Sequence, residues 1–293
     1  GKDGLTLGTS GSYNECKRVL NDDGVECLLI CGEGFALFNL ETEKFILSNK
    51  KPTSKTHCLD ILPGDNFAVG RPGLSSDEIE IYASLKDDDS TVYGSYDHNN
   101  VHDVVWDGAN ERLYSYGNGG IRKYTYNQSN RTITYVASSL IEDPNGGSHG
   151  FGPKLGSPGV FYANANVYGV VEYNENTDTW RGLIEGLSCK SVDYSDLRDE
   201  ILLPIQGGTL SYRSYKCRAT DDDGNTLRTY TMPSGDAAWY KARWFERSTF
   251  RHPLEGDVPP YFTTSPVTSV TEGNAYSYTP AADDLDDDSI SIT

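Results

Sequence analysis

Residues 101–117 read VHDVVWDGANERLYSYG. A basic residue, His102, is followed by a short run of Val and Trp, then by DGAN, then by a second run built on Leu and Tyr. β-Branched and aromatic residues favour extended backbone, and Asp, Gly and Asn favour reversals, so the stretch reads as strand, turn, strand. The same order recurs on both sides of it. THCLDILPGDNFAVG (56–70), SHGFGPKLGSPGVFYAN (148–164) and CKSVDYSDLRDEILLPI (189–205) repeat it, and YKARWF (240–245) supplies its opening. The basic residues within these segments are His57, His102, His149, Lys190 and Lys241, at intervals of 45, 47, 41 and 51 residues.

A second repeat keeps step with the first. FNLETEKFIL (38–47), YNQSNRTITYV (126–136), YNENTDTWRGL (173–183) and CRATDDDGNTLRTY (217–230) each read as two strands joined by a polar turn. One unit is therefore an inner strand, two middle strands and an outer strand, and its length suits a blade of a β-propeller. Before His57 only the last three strands are legible (CLLICGEG, FALFNLE, KFILSN), and after Lys241 only the first. Together they make one blade. The expectation is an all-β, five-bladed propeller closed by pairing its N- and C-terminal strands, with YKARWF beside CLLICGEG, because a shared blade removes the open sheet edges.

The bulk properties agree with an all-β chain and exclude some functions. Thirty Gly, 13 Pro and 20 Tyr among 293 residues suit many short strands and tight turns. The net charge of −18 opposes attraction to phosphate backbones, so no nucleic-acid partner is expected. No stretch of about 18 apolar residues exists to enter a membrane, and the polar opening GKDGLTLGTSGS is not a signal peptide, so a secreted form has lost its signal. The six cysteines contain no CxxC pair. Their even number suits disulfides in an oxidising compartment, and buried free thiols are the competing reading. Cys27 and Cys31 are too far apart along one strand to pair with each other.

From Val258 the composition changes. PP marks a linker, and TEGNAYSYTPAADDLDDDSISIT (271–293) alternates Tyr, Ser and Thr as solvated strands do. This stretch resembles the first half of the immunoglobulin-like and cadherin-like repeats of bacterial surface proteins. The motifs HDVVWD and YKARWF, in turn, resemble those of an uncharacterised family of extracellular five-bladed propellers encoded near carbohydrate-degrading genes, over most of residues 25–246. The resemblances imply an extracellular or cell-surface protein and suggest carbohydrate. The expected domains are an N-terminal extension (1–24), the propeller (25–250), a linker (251–260) and a partial immunoglobulin-like segment (261–293).

Equivalent positions on the inner strands of a propeller face one axis, so His57, His102, His149, Lys190 and Lys241 are expected to form a ring at one mouth. Three imidazoles with an open position suit a divalent transition metal. Two neighbouring ammonium groups repel such a cation and suit an anion better, a local reversal of sign in an acidic chain. The expected ligand is an anionic polysaccharide. Elimination on a uronic-acid glycan would use His102 or His149 as base, Tyr240 as acid, and Lys190, Lys241 or Arg243 to neutralise the carboxylate. Glycoside hydrolysis needs paired carboxyl groups where this ring carries bases. Trp239 is the expected sugar platform, whereas Trp106 and Trp244 read as core. Asp283, Asp286 and Asp288 belong to a carboxylate cluster suited to Ca2+. The competing function is structural or adhesive: about 34 residues cannot close a sandwich of about seven strands, so the last segment is expected either to associate with another copy or to be completed in cis by further residues of a longer chain.

Overall fold

The computed structural model describes residues 14–21, 23–32, 34–50, 56–71, 78–83, 92–118, 120–139, 149–154, 157–165, 169–185, 189–195, 198–205, 216–231, 241–242, 261–262, 279 and 282–283. The chain divides into two units, 1–252 and 253–293. In the second, β21 (Tyr261–Phe262) pairs antiparallel with β22 (Ala282–Asp283).

The first unit is a five-bladed β-propeller of antiparallel four-stranded sheets. Blade 1 is β1 (Glu15–Leu20), β2 (Glu26–Cys31), β3 (Phe35–Asn39) and β4 (Lys44–Lys50). Blade 2 is β5 (Cys58–Leu62), β6 (Asn66–Arg71), β7 (Glu78–Tyr82) and β8 (Val92–Asp97). Blade 3 is β9 (Asp103–Asp107), β10 (Arg112–Gly117), β11 (Gly120–Asn127) and β12 (Thr132–Ser139). Blade 4 is β13 (Phe151–Pro153), β14 (Val160–Ala165), β15 (Gly169–Asn174) and β16 (Thr179–Ile184). Blade 5 is β17 (Asp193–Ser195), β18 (Glu200–Ile205), β19 (Lys216–Thr220) and β20 (Thr226–Thr231). Inner strands follow one another around the axis in chain order, β1 beside β5, then β9, β13 and β17.

The core lies between blades. Leu59 and Ile61 of β5 pack towards blade 1 against Leu29 and Leu37, while Cys58 and Leu62 of the same strand pack towards blade 3 against Val104 and Trp106. A strand covered on both faces needs apolar residues at successive positions, which is why the inner strands lack strict alternation. Aromatic rings fill the next interface, with Phe151 and Phe161 stacked at 4.7 Å and Tyr116 on Phe151 at 5.5 Å. At the rim β20 is exposed along its whole length.

The polar turns are built alike. Asn39, Asn127, Asn174 and Asp221 each accept a hydrogen bond from the backbone N–H two residues on, at 2.8, 3.0, 3.0 and 3.1 Å. Each turn then contains a residue of positive φ: Glu43, Arg131, Asp178 or Gly224. The hairpin tips also clasp the preceding blade. Glu175 accepts from Tyr114 and pairs with Lys123. Asp222, one of the three acidic residues leading into Gly224, accepts from Tyr162 at 2.6 Å and from Lys154 at 2.7 Å.

Closure differs from expectation. The inner neighbour of ECLLIC is β1, with Cys16 opposite Ile30 and Val19 opposite Cys27, so blade 1 draws all four strands from residues 15–50. The segment expected as an extension supplies an inner strand because Glu15 and Lys17, charged in sequence, meet opposite charges at the axis. Arg243 and the rest of YKARWF beyond Ala242 lie outside the described residues. All six cysteines are free thiols, five of them buried. Desolvation pushes Cys189 and Cys217 up to about 12, so they behave as core groups.

Candidate functional site at the axis

Every anchor lies just before an inner strand or at the axis. His57 and His102 immediately precede β5 and β9, His149 is two residues before β13, and Lys190 three before β17. Three blades thereby bring three imidazoles together. His102 Nδ1 lies 2.9 Å from His57 Nδ1 and 3.3 Å from His149 Nδ1, with ring centroids 4.6 and 4.2 Å apart.

Asn100 fixes the tautomer. Its amide nitrogen donates to Asn118 Oδ1 at 3.1 Å, which turns its oxygen, at 3.0 Å, towards His102 Nε2. Nε2 therefore carries the proton, and Nδ1 of the neutral ring accepts from its neighbour. Burial, reinforced by the adjacent basic groups, pushes His102 far below the usual imidazole range. The same burial, with Lys190 as the next cause, lowers His149 to about 3. Burial also lowers Lys190, to about 8. At neutral pH these two imidazoles are uncharged and Lys190 is mostly an ammonium.

Lys241 does not share that environment. Its side chain is buried, and Nζ donates to the His102 carbonyl at 2.8 Å and lies 3.4 Å from Glu15 Oε1 and 3.5 Å from Asp103 Oδ2. Lys17 occupies the reciprocal position, 3.7 Å from Glu15 Oε2 and 3.3 Å from Asp103 Oδ1, and donates to the Val104 carbonyl at 2.8 Å. Two ammonium groups and two carboxylates thus alternate in a closed circuit. Asp103 also accepts from the Phe151 backbone N–H of the next blade at 3.1 Å, as Asp60 does from Trp106 at 2.9 Å.

Sequence reasoning found the three histidines and Lys190 by their spacing. It missed Glu15, Lys17, Asn100 and Asp103. Glu15 and Lys17 have no counterpart in the repeat, and Asp103 reads as a strand-edge residue until its partners from other blades are known. Trp239, Tyr240, Arg243, Asp286 and Asp288 lie outside the described residues, and of Asp283 only the backbone position in β22 is described. Among the described residues, no group of three His, Cys, Asp or Glu side chains is placed to hold a metal ion. The imidazoles bond one another and Asn100, beside the Lys190 ammonium, which repels a divalent cation. His102 is only 6% exposed and is enclosed by its hydrogen-bond partners. A His149 with a pKa of about 3 is a weak base at neutral pH.

No known family matches the sequence, and no curated protein matches it. Among solved structures, a chain of one described as "Crystal Structure of Mitotic Checkpoint Complex" matches with a TM-score of 0.54 at 13% identity, covering 80% of this chain and 69% of that one. At that identity the likeness is one of fold.

Proposed function

We propose that the propeller binds a carboxylate-bearing carbohydrate at the mouth of its central channel, through Lys190 with His57 and His149 around it. The observation that carries this reading is Lys190. It is half-buried, no carboxylate partner stands against it among the described residues, and it lies beside His149, whose imidazole is uncharged at neutral pH. In a chain of charge −18 such a cation favours an anion small enough to enter the mouth, such as the uronate unit of a polysaccharide. A secreted or cell-surface location accords with that ligand.

The geometry favours binding over elimination chemistry, because the buried His102 and the weakly basic His149 are poor proton acceptors. Calorimetric titration with oligogalacturonate and with a neutral oligosaccharide of equal length tests the reading. The acidic ligand should bind, the neutral one should not, and Lys190→Gln should abolish binding. Equal affinity for the two ligands would refute it. Growth of ultraviolet absorbance on the acidic ligand would show that the mouth is also a lyase site.

A further inference from the structure

We propose that Glu15, Asp103 and the His102 carbonyl form a cation seat at the axis whose resident occupant is the Lys241 ammonium, and that this contact fastens the end of the propeller to its beginning. Four observations converge on it. The side chains of Lys241, Glu15, Asp103 and Lys17 are no more than 2% exposed, so the contacts are internal rather than solvated surface pairs. The three groups around Lys241 Nζ come from blade 1 and blade 3, at 3.4, 3.5 and 2.8 Å. The adjoining residue is tied to a further blade: Ala242 N–H donates to Ser191 Oγ at 2.8 Å, and Ser191 Oγ donates to the Ala242 carbonyl at 3.1 Å. Finally, among the described residues blade 1 draws its four strands from residues 15–50, and the contact that reaches it from the C-terminal side is this side-chain one.

The chemistry of the seat is that of a small cation site. Two carboxylate oxygens and one carbonyl oxygen surround a single positive charge, and a second ammonium, Lys17, neutralises the remaining charge of the two carboxylates. Withdrawing Lys241 removes one of the two ammonium groups described against these two buried carboxylates. An uncompensated buried charge is among the most destabilising single changes. The latch therefore holds through charge balance, and burial shields it from salt.

The test is a set of variants of the full chain followed by thermal unfolding. Lys241→Ala should lower Tm by about 10 °C, as loss of one partner from a buried pair does in a domain of this size. Adding Glu15→Gln to that variant removes the surplus carboxylate and should recover at least half of the loss. Methylammonium chloride should raise the Tm of Lys241→Ala above its value in sodium chloride of equal ionic strength, and should leave the wild type and the double variant unchanged. If Lys241→Ala does not fold, the double variant should still fold. A Tm for Lys241→Ala within about 2 °C of wild type would overturn the proposal. So would a double variant no more stable than Lys241→Ala, or a methylammonium effect equal to that of sodium.

Discussion

Asp103→Asn keeps the size of the side chain and removes one charge from the axial circuit. In the native protein Asp103 lies 3.3 Å from Lys17 and 3.5 Å from Lys241, and accepts from the N–H groups of Val104 and Phe151, both at 3.1 Å. The amide takes one of the two described carboxylates away from two buried ammonium groups, and it points N–H hydrogens at one set of donors. Removing one partner of a buried pair costs about 3–5 kcal/mol. An orphaned backbone N–H costs about 1–3 kcal/mol, part of the same loss. The expected destabilisation is therefore about 4 kcal/mol, a large share of the stability of an ordinary domain. Urea unfolding followed by tryptophan fluorescence measures it: with a slope of about 2–3 kcal/mol per molar, the midpoint should fall by roughly 1.3–2 M. Glu41→Gln, which makes the same change of charge at an exposed turn, should leave the midpoint in place. A shift for Asp103→Asn below about 0.3 M at unchanged slope would refute the reasoning, because it would mean that the circuit contributes no more than surface charges do.

Three further outcomes are expected. The carboxyl of Asp60 is raised by burial to about 6, so the folded state holds its proton more tightly than the unfolded chain, and stability should fall as pH rises from about 4 to 6. Asp60→Asn should remove about 3 kcal/mol of that dependence, read from urea midpoints across the range. Uronate binding at the mouth should weaken about tenfold per unit above pH 8 as Lys190, lowered by burial to about 8, loses its proton; calorimetry at a series of pH values checks this. Tyr114→Phe and Tyr162→Phe, each removing one donor from a clasp, should cost about 1 kcal/mol apiece. Because the clasps lie at different blade interfaces, the two losses should add in the double variant, as thermal unfolding would show.

What the sequence disclosed was whatever each blade specifies locally. The Asn or Asp that opens each of the four described outer turns acts on backbone two residues away, and the runs of Leu, Ile, Tyr and Val between the turns mark their strands without reference to any other blade. The His and Lys ring was legible for a related reason, since equivalent positions face one axis. ECKRVL was not legible as an inner strand. Three of its six residues are charged, and the described partners that make burial of Glu15 and Lys17 tolerable are Asp103, far along the chain, and Lys241, farther still. The pairing of His102 with Asn100 depends on a turn in which Asn100 has φ of 53°. Spacing carries no information about that geometry.

The clasps at the hairpin tips have a direction. Glu175 of the fourth blade reaches back to Tyr114 and Lys123 of the third, and Asp222 of the fifth reaches back to Lys154 and Tyr162 of the fourth. None of these side chains reaches forward to a blade not yet made. During synthesis from the N-terminus, a newly emerged hairpin therefore secures the blade before it, while its own face waits for the next. Until the ring closes, the growing protein leaves bare one face of its first blade and one of its latest, and Lys241 emerges only after the last of these hairpins, when Glu15 and Asp103 have already been made.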